Sequence, residues 1–500
     1  MTLAVGVTLA ACTAEGAAPP TSETAAGDVE LALVAADGGP VALGEPFEFS
    51  VVGRNGGERS VSVEASLTLT SPSGGTVPFA TASLFVPHGG ETSQDVAVTT
   101  AQWFADLGQY RLAASTTDSP AAESTVAFDV TEPTVVVPRF EDVTADAGLT
   151  TSVPAAECGQ FANGAAWGDV EGDHDLDLVV TRLGDPVQLF VNDGEGHFAD
   201  EAAVRGVAVE GANGAAFADH DNDGDADLVL VGDGSDVLLR NDGDRFTDVS
   251  AAAGIGDDGR RGISASWGDF DADGHLDLYV TNYMRCTGEW ETEEDIIANV
   301  AYFPDTLYRN NGDGTFTDAT EYLGEGSTEG AGFAATWFDY NGDNRLDLYL
   351  ANDFVGVSPD HNRLWRNDGP ASGGGWRFTD VSDESGTAFW MNTMGIAVGD
   401  VERDGDLDMA LSNITANKYL RNDGTAFVED PAAGIGRPLQ QADTESITWG
   451  GGFHDLNLDG WEDLYFAAGN FLRGVREVGE QPNELFVNRD GATFLDVSAA

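Results

Sequence analysis

Six stretches of this chain set acids at alternate positions of a short loop. The clearest is Asp269-Phe270-Asp271-Ala272-Asp273-Gly274-His275-Leu276-Asp277. Carboxylates stand at its positions 1, 3, 5 and 9, and a glycine at position 6 permits a sharp turn. Hard oxygen donors at this spacing suit Ca²⁺, which takes about six to eight oxygens. Asp269, Asp271, Asp273 and Asp277 would converge on the ion, and the backbone carbonyl of His275 would add a ligand. The pattern recurs as Asp169/Glu171/Asp173/Asp177, Asp219/Asp221/Asp223/Asp227, Asp339/Asn341/Asp343/Asp347, Asp400/Glu402/Asp404/Asp408 and Asp455/Asn457/Asp459/Asp463. Six structural calcium ions, one per loop, are the cofactor this predicts.

An EF-hand needs a bidentate Glu at position 12 and flanking helices. Position 12 is instead Val180, Leu230, Val280, Leu350, Leu411 or Phe466, and the residues after position 9 are β-formers. The first loop acid advances by 50, 50, 70, 61 and 55 residues, the spacing of propeller blades rather than of a helical solenoid.

Other chemistries find little support. The seven histidines form no HExxH zinc pattern, and His174, His220, His275 and His454 lie in or beside the acidic loops. No Gly-x-Ser-x-Gly elbow occurs. Lys418 is the only lysine, and Tyr419 stands where a phosphate loop needs Ser or Thr. The formal charge is −63, from 86 acids against 23 bases, a field that repels phosphate and excludes nucleic acid as a partner. The loop acids explain only part of that excess; the rest reads as a solvated acidic surface. No catalytic residue is expected, and the chain reads as non-enzymatic.

From Phe140 onward each unit follows one plan. A strand of small residues ends on Trp167, Phe217, Trp267, Trp337, Val398 or Phe453, two residues before its loop. After the loop come a second apolar strand and then a third. The third runs into a turn such as Asn192-Asp193-Gly194, Asn241-Asp242-Gly243, Asn367-Asp368-Gly369 or Asn422-Asp423-Gly424. A fourth opens on Phe198, Phe246, Phe316, Phe378, Phe427 or Phe494, usually within Phe-Thr-Asp-Val-Ser. Four antiparallel strands make a blade.

On these residues the stretch 138–500 resembles the FG-GAP (VCBS-type) repeat family, whose best-known members are the integrin α-subunit propellers. In layout it is most similar to the bacterial relatives of cartilage acidic protein. The resemblance implies structural Ca²⁺ in loops joining strands one and two on the lower face. Phe140-Glu141-Asp142-Val143 reads as an outer strand with no blade before it. Six blades are seen, and the leading strand implies a seventh that is incomplete; a six-bladed ring with a spare strand is the alternative.

Ahead of the repeats, residues 1–12 resemble a bacterial lipoprotein signal ending in the lipobox Leu9-Ala10-Ala11-Cys12, which implies cleavage before Cys12 and lipidation of its thiol. No Lys or Arg precedes the apolar run; a start codon further upstream would supply one. Residues 13–27 read as a flexible linker. Residues 28–132 alternate with period two, as in Phe47-Glu48-Phe49-Ser50-Val51, and predict an immunoglobulin-like β-sandwich. Within it Asp106-Leu107-Gly108-Gln109-Tyr110-Arg111-Leu112 resembles a tyrosine corner, with Leu112 where a disulfide cysteine often sits. The expected fold is all-β throughout.

Recognition would fall on the blade ends opposite the calcium loops. Residues 282–306 set Tyr283, Trp290, Tyr302 and Phe303 among acids, and Phe389-Trp390 lies in another such connection. Asn282, Asn352 and Asn413 share one blade position and form either a polar arc or strand-end caps. Cys158 and Cys286 fall on the same side, where an exported protein would place a disulfide. The leading expectation is an exported lipoprotein, anchored by its lipid at the cell envelope or surface and binding an extracellular protein or glycan. A polysaccharide-active enzyme or accessory resembling lyase propellers, or a structural envelope component, are the alternatives.

Overall fold

The computed structural model describes residues 29–498 apart from 36–40, 43–45, 58, 73, 100–107, 117–118, 132–135, 152–163, 183, 244, 257–258, 287–299, 325–329, 354–359, 415, 436–446, 470–481, 490 and 492. Cys12, Cys158 and Trp290 lie outside the described residues, and with them the lipidation site and any Cys158–Cys286 bridge. The described chain is all-β, with short helical turns such as Ala202–Arg205 and Ser250–Ala253 between sheets.

The period-two segments near the N-terminus form two sheets. Strands Val29–Ala35, Pro46–Asn55 and Glu91–Thr99 make one. The other orders Val41–Ala42, Ser119–Thr131, Gly108–Thr116, Val61–Thr70 and Thr76–Val86. Its first pair runs parallel, a feature that local alternation does not encode. Phe47, Phe49 and Val51 meet Leu67, Tyr110, Leu112 and Phe128 in a shared apolar core. Tyr110 is buried and stacks on Phe128, and Leu112 is fully buried, so the sheets close on apolar packing alone at that point.

Six four-stranded antiparallel sheets follow, each with its strands paired in chain order. In the third they are Gly262–Gly268, Asp277–Asn282, Thr306–Asn310 and Phe316–Asp318. A small hairpin, Arg285–Cys286 with Val300–Ala301, is inserted between the second and third strands. Second strands such as Asp227–Gly232, Asp277–Asn282 and Asp347–Asn352 are buried along their whole length. That explains their unbroken apolar runs: each faces a neighbouring sheet on both sides. Leu228 and Leu239 pack toward Val179 and Leu189 of the first sheet, while Val229 and Leu238 pack toward Leu278 and Tyr308 of the third.

First strands of successive sheets approach closely, which is why they are rich in small residues. A Cβ on Gly168 would stand 2.6 Å from the Phe217 ring, and one on Gly268 would stand 2.6 Å from the Trp337 ring. The leading segment departs from expectation. Phe140–Val143 forms no strand, Phe140 is 69% exposed, and among the described residues no strand pairs with it. Residues 136–150 instead run from the sixth sheet to the first. Asn457 Nδ2 donates to the Val136 carbonyl at 3.1 Å, and Val137 packs beside Leu485, Val487 and Leu495. At the other end, Phe198 N–H donates to the Ala147 carbonyl at 2.8 Å.

The close approach of sheets is testable. Gly268→Ala should destabilise the repeat region by about 1–3 kcal/mol through overpacking against Trp337. Gly450→Ala, where a Cβ meets open space, should leave the denaturation midpoint unchanged.

Candidate metal centres

Each acidic loop joins the first strand of a sheet to the second, and its ninth residue opens the second strand: Asp177, Asp227, Asp277, Asp347, Asp408 and Asp463. The local fold comes from the first acid. In the third loop Asp269 Oδ1 accepts the Asp273 N–H at 3.1 Å and Oδ2 accepts the Gly274 N–H at 2.9 Å. The same pair of bonds recurs on Asp169, Asp219, Asp339, Asp400 and Asp455.

This wrap forces the backbone into the left-handed region at positions 4 and 6. Gly172 and His174, Asn222 and Gly224, Ala272 and Gly274, Gly342 and Asn344, Arg403 and Gly405, and Leu458 and Gly460 all carry positive φ. The non-glycine residues with positive φ among the described chain are the six in these loops. A turn that repeats strain at residues as unsuited to it as Ala272 and Leu458 is over-determined by its surroundings.

The acids converge most fully in the second and third loops. Asp219, Asp221 and Asp223, and likewise Asp269, Asp271 and Asp273, each bring carboxylate oxygens within 4.8 Å of one another. Asp221 Oδ1 and Asp271 Oδ1 are buried without a hydrogen-bond partner. An acceptor-only oxygen that is buried and unmet calls for a cation, so these residues fit Ca²⁺.

The first and fifth loops gather their acids less tightly. Their position-5 acids, Asp173 and Asp404, are exposed and join no such tight cluster among the described residues. Asp173 Oδ1 accepts the Asp175 N–H at 3.1 Å and Asp404 Oδ1 accepts the Asp406 N–H at 3.0 Å, the same bond that Asp223 and Asp273 make in their loops. At position 3 these two loops carry the longer Glu. Glu171 pairs with Arg205, while Tyr419 donates to both Glu402 and Asp408, at 3.1 and 3.0 Å.

In the fourth and sixth loops Asn341 and Asn457 accept the N–H of Asp343 and Asp459. Arg309 supplies positive charge to the third loop, bonding Asp271 and lying 2.7 Å from Asp273.

The ninth-position aspartates are buried, at most 1% exposed. Asp277 accepts two backbone donors, Phe270 N–H at 3.0 Å and Asn310 N–H at 2.8 Å. Burial pushes its carboxyl up to about 8 against the pull of those donors, and the neighbouring Asp271 and Asp269 push the same way. Burial likewise raises Asp347 to about 7 and Asp463 to about 6. In Asp408, raised to about 8, burial acts together with the Glu402 carboxyl. His220, at position 2 of the second loop, places Nδ1 against Asp227.

Asn192, Asn241, Asn367 and Asn422 open the expected turns, and Asn310 and Asn488, not singled out from the sequence, hold the same place in the third and sixth sheets. Each also donates its backbone N–H to the ninth-position aspartate of its own sheet. Its side-chain oxygen accepts the N–H of the turn glycine, as in Gly369 to Asn367 at 3.0 Å. The signal was present: the first turn residue is Asn in all six sheets, never Asp.

At the opposite end of the sheets, Asn282 and Asn352 are buried, and their amides donate to the carbonyls of Pro304 and His361. Half-buried Asn413 donates to Ala416. These are strand-end caps, so the polar arc does not form; burial has already spent the amides on backbone. Trp390 differs, being 56% exposed and edge-on to His361 with ring centroids 5.5 Å apart.

Among curated proteins none matches this chain. Solved structures similar to part of it include a β-glucosidase from Listeria innocua (15% identity over 21% of this chain and 17% of that chain, TM-score 0.19). A β-glucosidase from Erythrobacter marinus is similar at 14% identity (21% and 15%, TM-score 0.19). So is the CARDB domain of a Pyrococcus furiosus protein in complex with di-metal ions (16% identity, 21% and 94%, TM-score 0.18). The chain spans less than a fifth of the length of those β-glucosidases, and overlaps this slight bear on neither fold nor activity.

The buried carboxyls dictate a pH dependence. Because the folded values of Asp277, Asp347, Asp408 and Asp463 lie above the ordinary carboxylate value, their contribution is complete below about pH 4. It is lost as pH rises through about 6 to 8. In chelator the melting temperature should therefore fall across that window. Saturating calcium should reverse the slope, since it binds the ionised form.

The family model described as FG-GAP-like repeat matches residues 169–230, 219–280 and 294–350. The first two windows each open on the first acid of one loop and close on position 12 of the next. This chain carries FG-GAP-like repeats.

Proposed function

We propose that this chain is an exported, calcium-stabilised lipoprotein whose six sheets are the blades of an FG-GAP-type propeller, working by adhesion or ligand capture rather than catalysis. Cys12 would carry the lipid anchor, and the two N-terminal sheets would form an immunoglobulin-like spacer. One observation supports the reading above all: the same acid-wrapped, left-handed loop occurs six times, each with a buried aspartate at its ninth position. Two of these loops hold buried carboxylate oxygens with no protein donor. Three or four ligand acids crowded into nine residues repel one another, and a divalent ion at each loop relieves that repulsion and fixes the turn.

The ligand-facing end lies opposite the loops. Trp390, flanked by His361 and Phe389, offers an exposed ring for stacking on a sugar or for seating an extracellular protein. Lys418, whose ammonium lies 5.1 Å from the Phe389 ring centroid, is paired with Glu429 at 2.6 Å, so a neutralised pair rather than a free positive charge stands there.

Two measurements test this. Chelation should lower the melting temperature of the repeat region and calcium should restore it, by about 2.7 kcal/mol per site at a hundredfold excess over Kd; an unmoved transition would sink the calcium reading. On an array of glycans and matrix proteins, Trp390→Ala should lose binding that the parent shows, with its melting unchanged. Binding indifferent to Trp390 would remove it from the ligand face.

A further inference from the structure

The turn asparagines reach beyond their own sheets. Asn241 Nδ2 donates to the carbonyl of Val170 in the preceding loop at 2.9 Å. Asn310 does so to His220 at 2.8 Å, Asn367 to Phe270 at 2.8 Å, Asn422 to Tyr340 at 2.8 Å and Asn488 to Val401 at 3.3 Å. Each acceptor is the second residue of a loop. The N–H of that same residue donates to the buried aspartate of its own loop: Val170 to Asp177, His220 to Asp227, Phe270 to Asp277, Tyr340 to Asp347 and Val401 to Asp408. That aspartate in turn accepts the backbone N–H of its own turn asparagine. Carboxylate, position-2 residue and asparagine thus alternate without a break from the first loop to the sixth.

We propose that these five asparagines couple the six loops, so that the array takes up calcium as one cooperative unit rather than as six independent sites. The inference rests on the calcium reading above. A cation that fixes Asp277 also fixes Phe270, whose carbonyl holds Asn367, whose N–H holds Asp347 of the next loop. Order gained at one site is passed in either direction, since coupling between sites is reciprocal. The five linking side chains are at most 1% exposed, and a buried carboxamide donor left unmet is costly, so a loop cannot relax without disturbing its neighbour. Asn192 is an internal control. It opens the series, is only half-buried, and its amide donates within its own loop, to Leu176 at 3.3 Å.

Hydrogen exchange of the loop amides, followed by mass spectrometry across a calcium titration of the full chain, tests this. In the parent, all six loops should gain protection at one shared calcium concentration. Asn367→Asp keeps the oxygen that accepts from Gly369 and removes the amide that donates to Phe270 and, within its own loop, to Leu346 at 3.0 Å. It should split the titration into two groups, residues 169–277 and 339–463, and speed exchange in its own and the preceding loop by roughly tenfold. Asn422→Asp should move the break to between residues 347 and 400, which keeps the test available if the first variant does not fold. Asn192→Asp should leave one shared transition. Separate midpoints in the parent, or a single one in Asn367→Asp, would overturn the coupling. Should calcium protect no loop, the calcium reading fails, and the coupling is judged in chelator alone. Faster exchange in 219–227 as well as 269–277 of Asn367→Asp sustains it, and change confined to 339–347 overturns it.

Discussion

A carboxylate taken out of water must be met by donors or by a cation, or it gives up its charge. Six aspartates in this molecule stand under that constraint at the same place, where an acidic loop enters a strand buried on both faces. Each receives one N–H from inside its loop and one from the turn that closes the third strand. These two donors join strand two to strand three at the end where a tight turn would otherwise leave backbone polar groups exposed. The left-handed residues at loop positions 4 and 6, the glycines facing aromatic rings and the asparagine turns all follow from keeping that arrangement compact.

The distribution of arginine follows the same logic. With 23 bases against 86 acids, positive charge is scarce, and much of it is spent on repeat acids. Arg205 is shared by Glu171 and Glu201, Arg309 by Asp271 and Asp273, and Arg363 by Asp360 and Asp380. An exposed acid with no such counter-charge is stabilised by its own hydration rather than by ion pairing.

Much of this was legible in the chain because it is local. Acids at alternate positions, a run such as Leu228-Val229-Leu230-Val231 and a Phe-Thr-Asp opening fix loop, second strand and outer strand without reference to anything distant. What was not legible depends on partners far apart in sequence. Alternation around Val41 gives no hint that it pairs in parallel with Val130. Phe140-Glu141-Asp142-Val143 has the composition of an outer strand, yet a strand needs a neighbour, and among the described residues none pairs with it. Asn282 and Asn352 look like polar residues offered to solvent, but the carbonyls that claim them belong to residues 304 and 361. The reach of Asn367 to Phe270 crosses 97 residues, and only the packing of one sheet on the next brings them together.

The tie between Asn457 and Val136 spans 321 residues, and it bears on how the molecule is made. Closing so long a loop costs little more entropy than closing one half its length, because that cost grows only as the logarithm of length. Time is the greater obstacle. A contact between residues so distant waits until everything between them has emerged and settled. During synthesis the early sheets would therefore form in order on a nascent chain whose leading segment still lacks its seat, and that segment would dock last, when the sixth loop arrives.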